Sequence, residues 1–169
     1  VTARSGGSTS ERDGISLFLI DAASAGISRR DYPTVDGNRA SEIYFENVSV
    51  PAEALLGAEG GALPLIEKIM DEATVAICAE AVGVMQKLHE GTLEYTQQRK
   101  QFGVPIAKFQ VLQHRMVDMF MEWEQSKSMT LMATLKLALP DDQRKAAVSA
   151  CKAKVSRAAK FVGQNAIQT

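Results

Sequence analysis

The stretch Arg99–Ile106, which reads Arg-Lys-Gln-Phe-Gly-Val-Pro-Ile, separates two long segments whose apolar residues recur at helical spacing. It therefore predicts a junction between two helices. Cations near the end of a helix complement its dipole, glycine supplies a left-handed cap, and proline prevents continuation. The same stretch places an arginine, an amide, an aromatic ring and a glycine close together, a set that can bind a phosphate and cover a flat ring. The spacing alone leaves both interpretations open.

Helical periodicity continues on both sides of this junction. Before it, apolar residues recur from Leu65 to Leu88, which predicts one long helix from about Gly61 to Arg99. After it, a similar pattern runs from Phe109 to about residue 137. Pro140, followed by two aspartates, indicates the start of a third helix, because proline and acidic side chains favour a helix N-terminus. We expect three long amphipathic helices joined by short turns.

The first third of the chain has strand character. Ile15–Ile20 is a strongly apolar run, Gly26–Tyr32 is a weaker polar strand, and Ala40–Val50 alternates loosely between apolar and polar residues. Glycine and aspartate separate these segments. Strands this short and this close in sequence connect through tight turns, so the predicted sheet is antiparallel. The segment Ala3–Asp13 is polar and rich in glycine and serine, and we expect it to be a disordered loop.

Composition narrows the function classes. The net charge is −1 with charges spread along the chain, so the sequence has no electrostatic footprint for nucleic acid. No apolar run approaches the roughly 20 residues that cross a bilayer. Cys78 and Cys151 lie in apolar helical patterns without metal or redox spacing, which predicts two buried, reduced thiols, a cytoplasmic location and no metal site.

Several motifs occur in one order that resembles the acyl-CoA dehydrogenases, a family of flavoenzymes. That family has R-x-Q/T-F-G, then F-Q and Q-H, then an A-D-M-like triplet. Its strand ending in F-x-x-V-x-V-P, the passage into its helical domain and a small-residue patch on the first helix precede them. The matching segments here are Ser41–Pro51, Leu55–Gly61, Ala81–Gly83, Gln98–Ile106, Phe109–Met116 and Val117–Met119. The resemblance covers the chain from about Gly14 to its end.

The resemblance implies an α+β fold. Residues 1–56 would form the C-terminal part of an antiparallel β-barrel or sandwich domain. Residues 57–169 would form the first three helices of an up-and-down helical bundle. The chain begins without methionine and closes in a helical pattern, so we expect a fragment that is incomplete at both ends.

The resemblance also implies FAD as the cofactor and assigns five residues to it. Arg99 would contact the pyrophosphate, Gln101 would donate a hydrogen bond nearby, and Phe102 would pack against the cofactor. Gly103 would let the backbone turn close to it, and Gln110 would lie near the adenosine end. Each has an ordinary alternative: a cation at a helix end, a surface amide, a core ring, a cap glycine or a surface helix residue.

A carboxylate is implied for substrate binding as well. Asp71 occupies a family position near the thioester and pantetheine of the acyl-CoA, although an exposed helix acid is an equal alternative. His114 matches a common helix position, for which packing or hydrogen bonding is favoured over catalysis. His89 belongs to no motif and is interpreted as a surface residue.

No residue of the chain is assigned as the catalytic base. Most family members have this glutamate beyond the position of Thr169, and a few have it in a Glu-Arg pair on the first helix. That pair falls on Ala73 and Thr74 here, and Glu72 is one residue out of phase, which turns it about 100° around the helix. Either the base lies outside this chain or the chain is a non-catalytic subunit. Asp31–Gly37 resembles the small-subunit branch of pimeloyl-CoA dehydrogenases.

The expected reaction is the α,β-dehydrogenation of an acyl-CoA to the trans-2-enoyl-CoA, with electrons passing to an electron-transfer-flavoprotein-type acceptor. The enzyme would be a dimer or tetramer, because Arg99 would serve the FAD of a neighbouring subunit. Alternatives are an acyl-CoA oxidase, or a helical assembly module that keeps the fold without turnover.

Overall fold

Three long helices dominate the computed structural model, which describes all residues from 1 to 169. The helices are α1 (Leu63–Gln98), α2 (Gln110–Lys136) and α3 (Asp141–Gln168). Their bounds confirm the three predicted helices to within a few residues. The chain divides into two compact units, residues 1–67 and 68–169.

The first unit contains five short strands in two separate antiparallel groups. One group is a three-stranded sheet in the order β1-β2-β5, formed by Thr2–Arg4, Ile15–Phe18 and Leu55–Leu56. The other is a hairpin of β3 (Ile27–Pro33) and β4 (Arg39–Phe45). The predicted strands and their antiparallel pairing are confirmed. The predicted barrel or sandwich is not confirmed, because the strands of these two groups do not join into a closed sheet.

The segment expected to be disordered has a defined conformation around Arg4. The Arg4 guanidinium donates hydrogen bonds to the carbonyls of Gly6, Thr9, Glu11 and Asp13, the shortest being 2.8 Å to Glu11. Neighbouring Gly14 has φ +87°, and a Cβ there would lie 2.1 Å from the Gly6 carbonyl oxygen, so only glycine fits. Hydrogen bonds from this one exposed cation to four carbonyls therefore give the polar segment a defined conformation, contrary to the expectation of disorder.

The second unit has a core to which all three helices contribute. Val75, Cys78 and Met85 of α1 pack with Met119 and Ala133 of α2. The α3 residues of this core are Val148, Cys151, Val155, Ala158 and Val162. Both cysteines are buried and free, as predicted. Cys151, Val155 and Val162 recur at helical spacing and share the buried face of α3.

Helix α1 also has a second apolar side that this core does not cover. Ile69, Ile77 and Val84 belong to the periodic pattern that predicted the helix, yet each is exposed, Ile77 by 60%. The buried residues Val75, Cys78 and Met85 lie beside that stripe.

No helix of the protein combines the length and apolarity needed to cross a bilayer.

Candidate functional site

A tight hairpin, rather than a simple helix cap, follows α1. Strand β6 (Lys100–Gln101) pairs with β7 (Val104–Pro105), and the backbone N–H of Ile106 donates to the Arg99 carbonyl at 2.8 Å. The two turn residues, Phe102 and Gly103, have φ +53° and +82°. Positive φ at both central positions defines a type I′ turn, whose twist matches that of paired strands. The junction between helices is confirmed, but Gly103 belongs to this turn and does not cap α1.

Phe102 is the most unusual residue of the hairpin. A bulky side chain at positive φ is strained, and among non-glycine residues only Asn47 shares this conformation here. The ring is 92% exposed and meets Phe109 edge to face, with centroids 6.2 Å apart. Neither turn stability nor burial accounts for an aromatic residue at this position. Such backbone strain is commonly found at sites that bind ligands.

The other proposed cofactor residues surround this turn. Arg99, Gln101 and Gln110 are all exposed, and their side chains make no hydrogen bond or ion pair within the chain. Gly103 has open space around the position of its missing Cβ. Gln110 begins α2, immediately after a single 3-10 turn at Ile106–Lys108. The structure thus brings four of the five residues into one hairpin, with the fifth one short turn away.

The hairpin is fixed to α2 by local contacts. The Gln113 side-chain amide donates to the Ala107 carbonyl at 2.8 Å, and Ile106 is buried. Because these anchors lie behind the turn, the groups at its tip remain accessible. A guanidinium, an amide and an aromatic face together offer bidentate phosphate hydrogen bonding and ring contact.

Asp71 lies far from this hairpin, near the start of α1, and is half-buried. Its Oδ2 accepts a hydrogen bond of 2.9 Å from Nε of Arg144 in α3. The pKa of Arg144 rises above its ordinary value, chiefly because Asp71 accepts this bond, whereas burial acts in the opposite direction. Asp71 is therefore an ion-pair partner and not a freely exposed acid, while its role toward a substrate stays a prediction.

No carboxylate occupies the predicted first-helix position of a catalytic base. Thr74 donates its hydroxyl to the Met70 carbonyl of its own helix at 2.7 Å, and Glu72 is exposed. The arginine expected at position 74 from the resemblance is absent. The sequence patterns do not single out Arg144 of α3, which is buried. The missed signal is its phase, since Val148 and Cys151 follow it by four and seven positions on the buried face.

The two histidines differ from each other in environment. The prediction that His89 is a surface residue is wrong. Its ring stacks on that of Trp123, with centroids 6.2 Å apart, and its centroid lies 5.7 Å from that of Phe120. Burial lowers the pKa of His89, although nearby Glu90 acts in the opposite direction. Its Nδ1 and the Trp123 Nε1 are buried without hydrogen-bond partners. His114 is exposed, and nothing in its surroundings indicates catalysis.

Comparison with known proteins gives one consistent result. The model for the C-terminal domain of acyl-CoA dehydrogenases matches residues 61–169. A probable acyl-CoA dehydrogenase of Bacillus subtilis is 35% identical over 79% of this chain and 36% of its own length. The FAD complex of PigA superposes on this chain with a TM-score of 0.87 and is 28% identical in sequence. Butyryl-CoA dehydrogenase of Megasphaera elsdenii superposes with a TM-score of 0.86 and is 25% identical. Each superposition covers 99% of this chain and 44% of the other. The chain thus spans well under half the length of these relatives.

Proposed function

The chain belongs to the acyl-CoA dehydrogenase family, and on this premise we propose that it serves in an FAD-dependent enzyme that converts an acyl-CoA to its trans-2-enoyl-CoA. The observation that carries the cofactor assignment is the hairpin at Phe102. It presents Arg99, Gln101 and the strained Phe102 to solvent, with none of these side chains hydrogen-bonded or ion-paired inside the chain. A relative of the same fold is described as an FAD complex, which supports the choice of ligand.

The five proposed cofactor residues have distinct roles in this proposal. The Arg99 guanidinium binds the FAD pyrophosphate through its planar fork, and Gln101 adds a hydrogen bond. Phe102 covers part of the cofactor, Gly103 lets the backbone pass close to it, and Gln110 contacts the adenosine end. Bound FAD would accept the hydride that leaves the β-carbon of the thioester.

The length of α1 supports a shared site between subunits. Arg99 follows the last residue of α1 and lies twenty-eight positions after Asp71; at about 1.5 Å per residue the separation along the helix is roughly 42 Å. A thioester that reacts with the flavin would lie within the length of one FAD molecule from its pyrophosphate, and that length is well below the separation of Asp71 and Arg99. The two residues of one chain therefore serve two different sites, so the enzyme is a dimer or tetramer in which Arg99 reaches the cofactor of a neighbouring subunit.

Asp71 contacts the thioester and pantetheine part of the acyl-CoA. The general base that removes the α-proton lies outside residues 1–169, because positions 73 and 74 are Ala73 and Thr74. An electron-transfer-flavoprotein-type acceptor reoxidises the enzyme. The free, buried cysteines support the cytoplasmic location. Within this proposal, residues 1–56 belong to the β domain and residues 57–169 to the helical bundle.

The second candidate is a non-catalytic subunit or a helical assembly module of a heteromeric acyl-CoA dehydrogenase. The observation in its favour is the absence of a carboxylate at the Ala73-Thr74 position. An acyl-CoA oxidase differs from the first proposal only in its reaction with oxygen.

The test is made on the complete gene product, by recording its flavin absorbance during anaerobic titration with straight-chain and dicarboxylyl-CoA esters. Bleaching of the flavin band supports the dehydrogenase half-reaction. A bound flavin that no ester bleaches, even with a co-purified partner subunit, favours the non-catalytic subunit. Arg99→Gln should release the flavin, whereas Lys100→Gln, which removes the same charge from the adjacent exposed residue, should retain it. Equal retention in both variants would return Arg99 to the role of a helix terminator.

A further inference from the structure

Arg144 is the only charged residue of the protein that is buried, with 4% of its surface exposed. It lies in the first turn of α3, where its backbone N–H donates to the Pro140 carbonyl at 3.0 Å. Arginine is rarely buried unless its guanidinium is paired. The partners of this side chain therefore explain why it is there.

The guanidinium joins two carboxylates on different helices. Its Nε donates to Oδ2 of Asp71 on α1 at 2.9 Å, and its Nη1 donates to Oδ1 of Asp141 at 2.8 Å. Lys145 Nζ lies 3.6 Å from the other oxygen of Asp141. Asp141, which is largely exposed, anchors the guanidinium from the solvent side.

This arrangement leaves one oxygen of Asp71 available. Oδ2 is held by Arg144, while Oδ1 has no hydrogen-bond partner in the chain. Asp71 lines an open cleft of about 450 Å³ between α1 and α3, together with Thr74, Ser149 and Lys152. Thr74 donates its hydroxyl to the Met70 carbonyl, and Lys152 donates one hydrogen to Ser156 Oγ. Asp71 is the only carboxylate in the lining of this cleft, so its Oδ1 is the charged acceptor that the cleft offers to a ligand.

Stability alone is a poor explanation for the pair. Nη2 of Arg144 is buried without a partner, and a buried donor left unsatisfied is destabilising. A helix contact selected for stability would not need a buried cation with an unpaired nitrogen, since apolar residues can join two helices equally well.

We propose that Arg144 is a positioning residue that holds the carboxylate of Asp71 in orientation for an acyl-CoA ligand. This inference rests on the proposed function, in which Asp71 contacts the substrate. Arg144 itself touches no reacting atom; it acts by fixing one oxygen of Asp71 so that the other points consistently to the ligand.

The experiment measures binding rather than turnover. Isothermal titration calorimetry of the flavin-loaded complete protein uses short, medium and long straight-chain 2-enoyl-CoA esters, which oxidised flavin cannot dehydrogenate further. The variants are Arg144→Gln, Arg144→Lys, Asp71→Asn and the double variant Asp71→Asn/Arg144→Gln. Arg157→Gln is the matched control, because Arg157 is an exposed arginine of the same helix with no partner in the chain. Melting temperatures are recorded alongside.

Arg144→Gln and Asp71→Asn should each raise Kd by about tenfold, and the double variant should raise it no further, because both remove the same oriented acceptor. Arg144→Lys keeps the charge but cannot bridge Asp71 and Asp141 together, so Kd should rise by about threefold. It also tests the proposal if Arg144→Gln does not fold. Arg157→Gln should leave Kd unchanged.

A purely structural role would give a different pattern. If the Arg144 variants melt at lower temperature but bind within about twofold of the parent protein, the proposal is overturned. The same holds if Asp71→Asn leaves Kd unchanged, or if the parent protein binds none of the enoyl esters. A protein that binds them with the expected dependence, but whose flavin no saturated ester bleaches, fails the proposed reaction and supports the positioning role.

Discussion

The ring of Phe102 meets that of Phe109 edge to face at 6.2 Å, with an angle of 83° between their planes, although Phe102 stands on a turn with positive φ and is almost fully exposed. The contact orients the exposed ring without burying it. Aromatic pairs of this kind favour one relative geometry and add a modest stabilisation. The open face of Phe102 is therefore held ready for a flat partner.

Replacing Phe102 should separate turn stability from cofactor binding. Asparagine tolerates positive φ well, so Phe102→Asn should change the free energy of unfolding by no more than about 1 kcal/mol. It should nevertheless weaken flavin retention by about tenfold, since the aromatic contact is lost. Phe102→Tyr keeps the ring and should retain flavin. Urea unfolding and flavin dissociation measured on the same samples test this; tight flavin binding by the asparagine variant would contradict it.

The core of the three helices predicts a contrast between two neighbouring methionines. Met119 is fully buried and Met121 is 46% exposed, both on α2. Met119→Ala should lower the free energy of unfolding by about 2–5 kcal/mol, because it removes apolar contacts and leaves a cavity. Met121→Ala should change it by less than about 0.5 kcal/mol. Denaturant unfolding followed by far-UV circular dichroism measures both, and similar losses for the two would show that the core is not centred on Met119.

Stability should fall on mild acidification because of His89. Burial lowers the pKa of this imidazole, so the unfolded chain binds more protons between the ordinary value of about 6.5 and the lowered value. The contribution of neutral His89 to the free energy of unfolding is complete above the ordinary pKa, and it is lost as the pH falls through that interval. His89→Phe should reduce the loss measured between about pH 7.5 and pH 5.5.

Glu90 provides the internal check on this assignment. Its charge raises the pKa of His89, against the effect of burial. Glu90→Gln should therefore lower that pKa further and steepen the loss of stability over the same interval. Urea midpoints at several pH values report it, and an acid sensitivity that persists unchanged in His89→Phe would assign the effect to other groups.

The buried thiols should be unreactive in the folded protein. Burial and then the adjacent Cys151 raise the pKa of Cys78 to about 11, so at about pH 8 roughly one Cys78 in a thousand is a thiolate. Titration with a disulfide reagent should detect neither cysteine before unfolding and both in guanidinium chloride. Ser128→Cys, an exposed position on α2, is the positive control. A native thiol that reacts as fast as that control would refute the expectation.

The apolar periodicity predicts where the helices lie, but it does not predict which side of α1 is buried. Repetition over many turns defined Leu63–Gln98, and Pro140 with two aspartates located the start of α3. The same periodicity could not tell which side of α1 is buried, because both the Ile77 side and the Cys78 side are apolar. The apolar pattern contains no information about which neighbour covers it.

The order of the sequence motifs predicts which residues form the candidate site. It does not predict the geometry in which they are held. Hairpin pairing at Gln101 and Val104 depends on two consecutive positive φ values, and phenylalanine is a poor indicator of one of them. The Asp71–Arg144 pair joins residues seventy-three positions apart, so no local pattern connects them. The predicted barrel likewise requires long-range strand pairing, which short polar strands such as β3 do not specify.

The unbroken length of α1 has a genetic consequence. If Asp71 and Arg99 of one chain serve different sites, two subunits with different lesions can restore one intact site between them. Co-expressed Asp71→Asn and Arg99→Gln subunits should form mixed dimers in which one site receives both wild-type residues and the other receives neither. Such dimers should recover about half of the parental activity, although each variant alone is impaired. Complementation between the two alleles, measured in a purified mixed dimer, would thus follow from the length of α1, because that length places Asp71 and Arg99 in different sites.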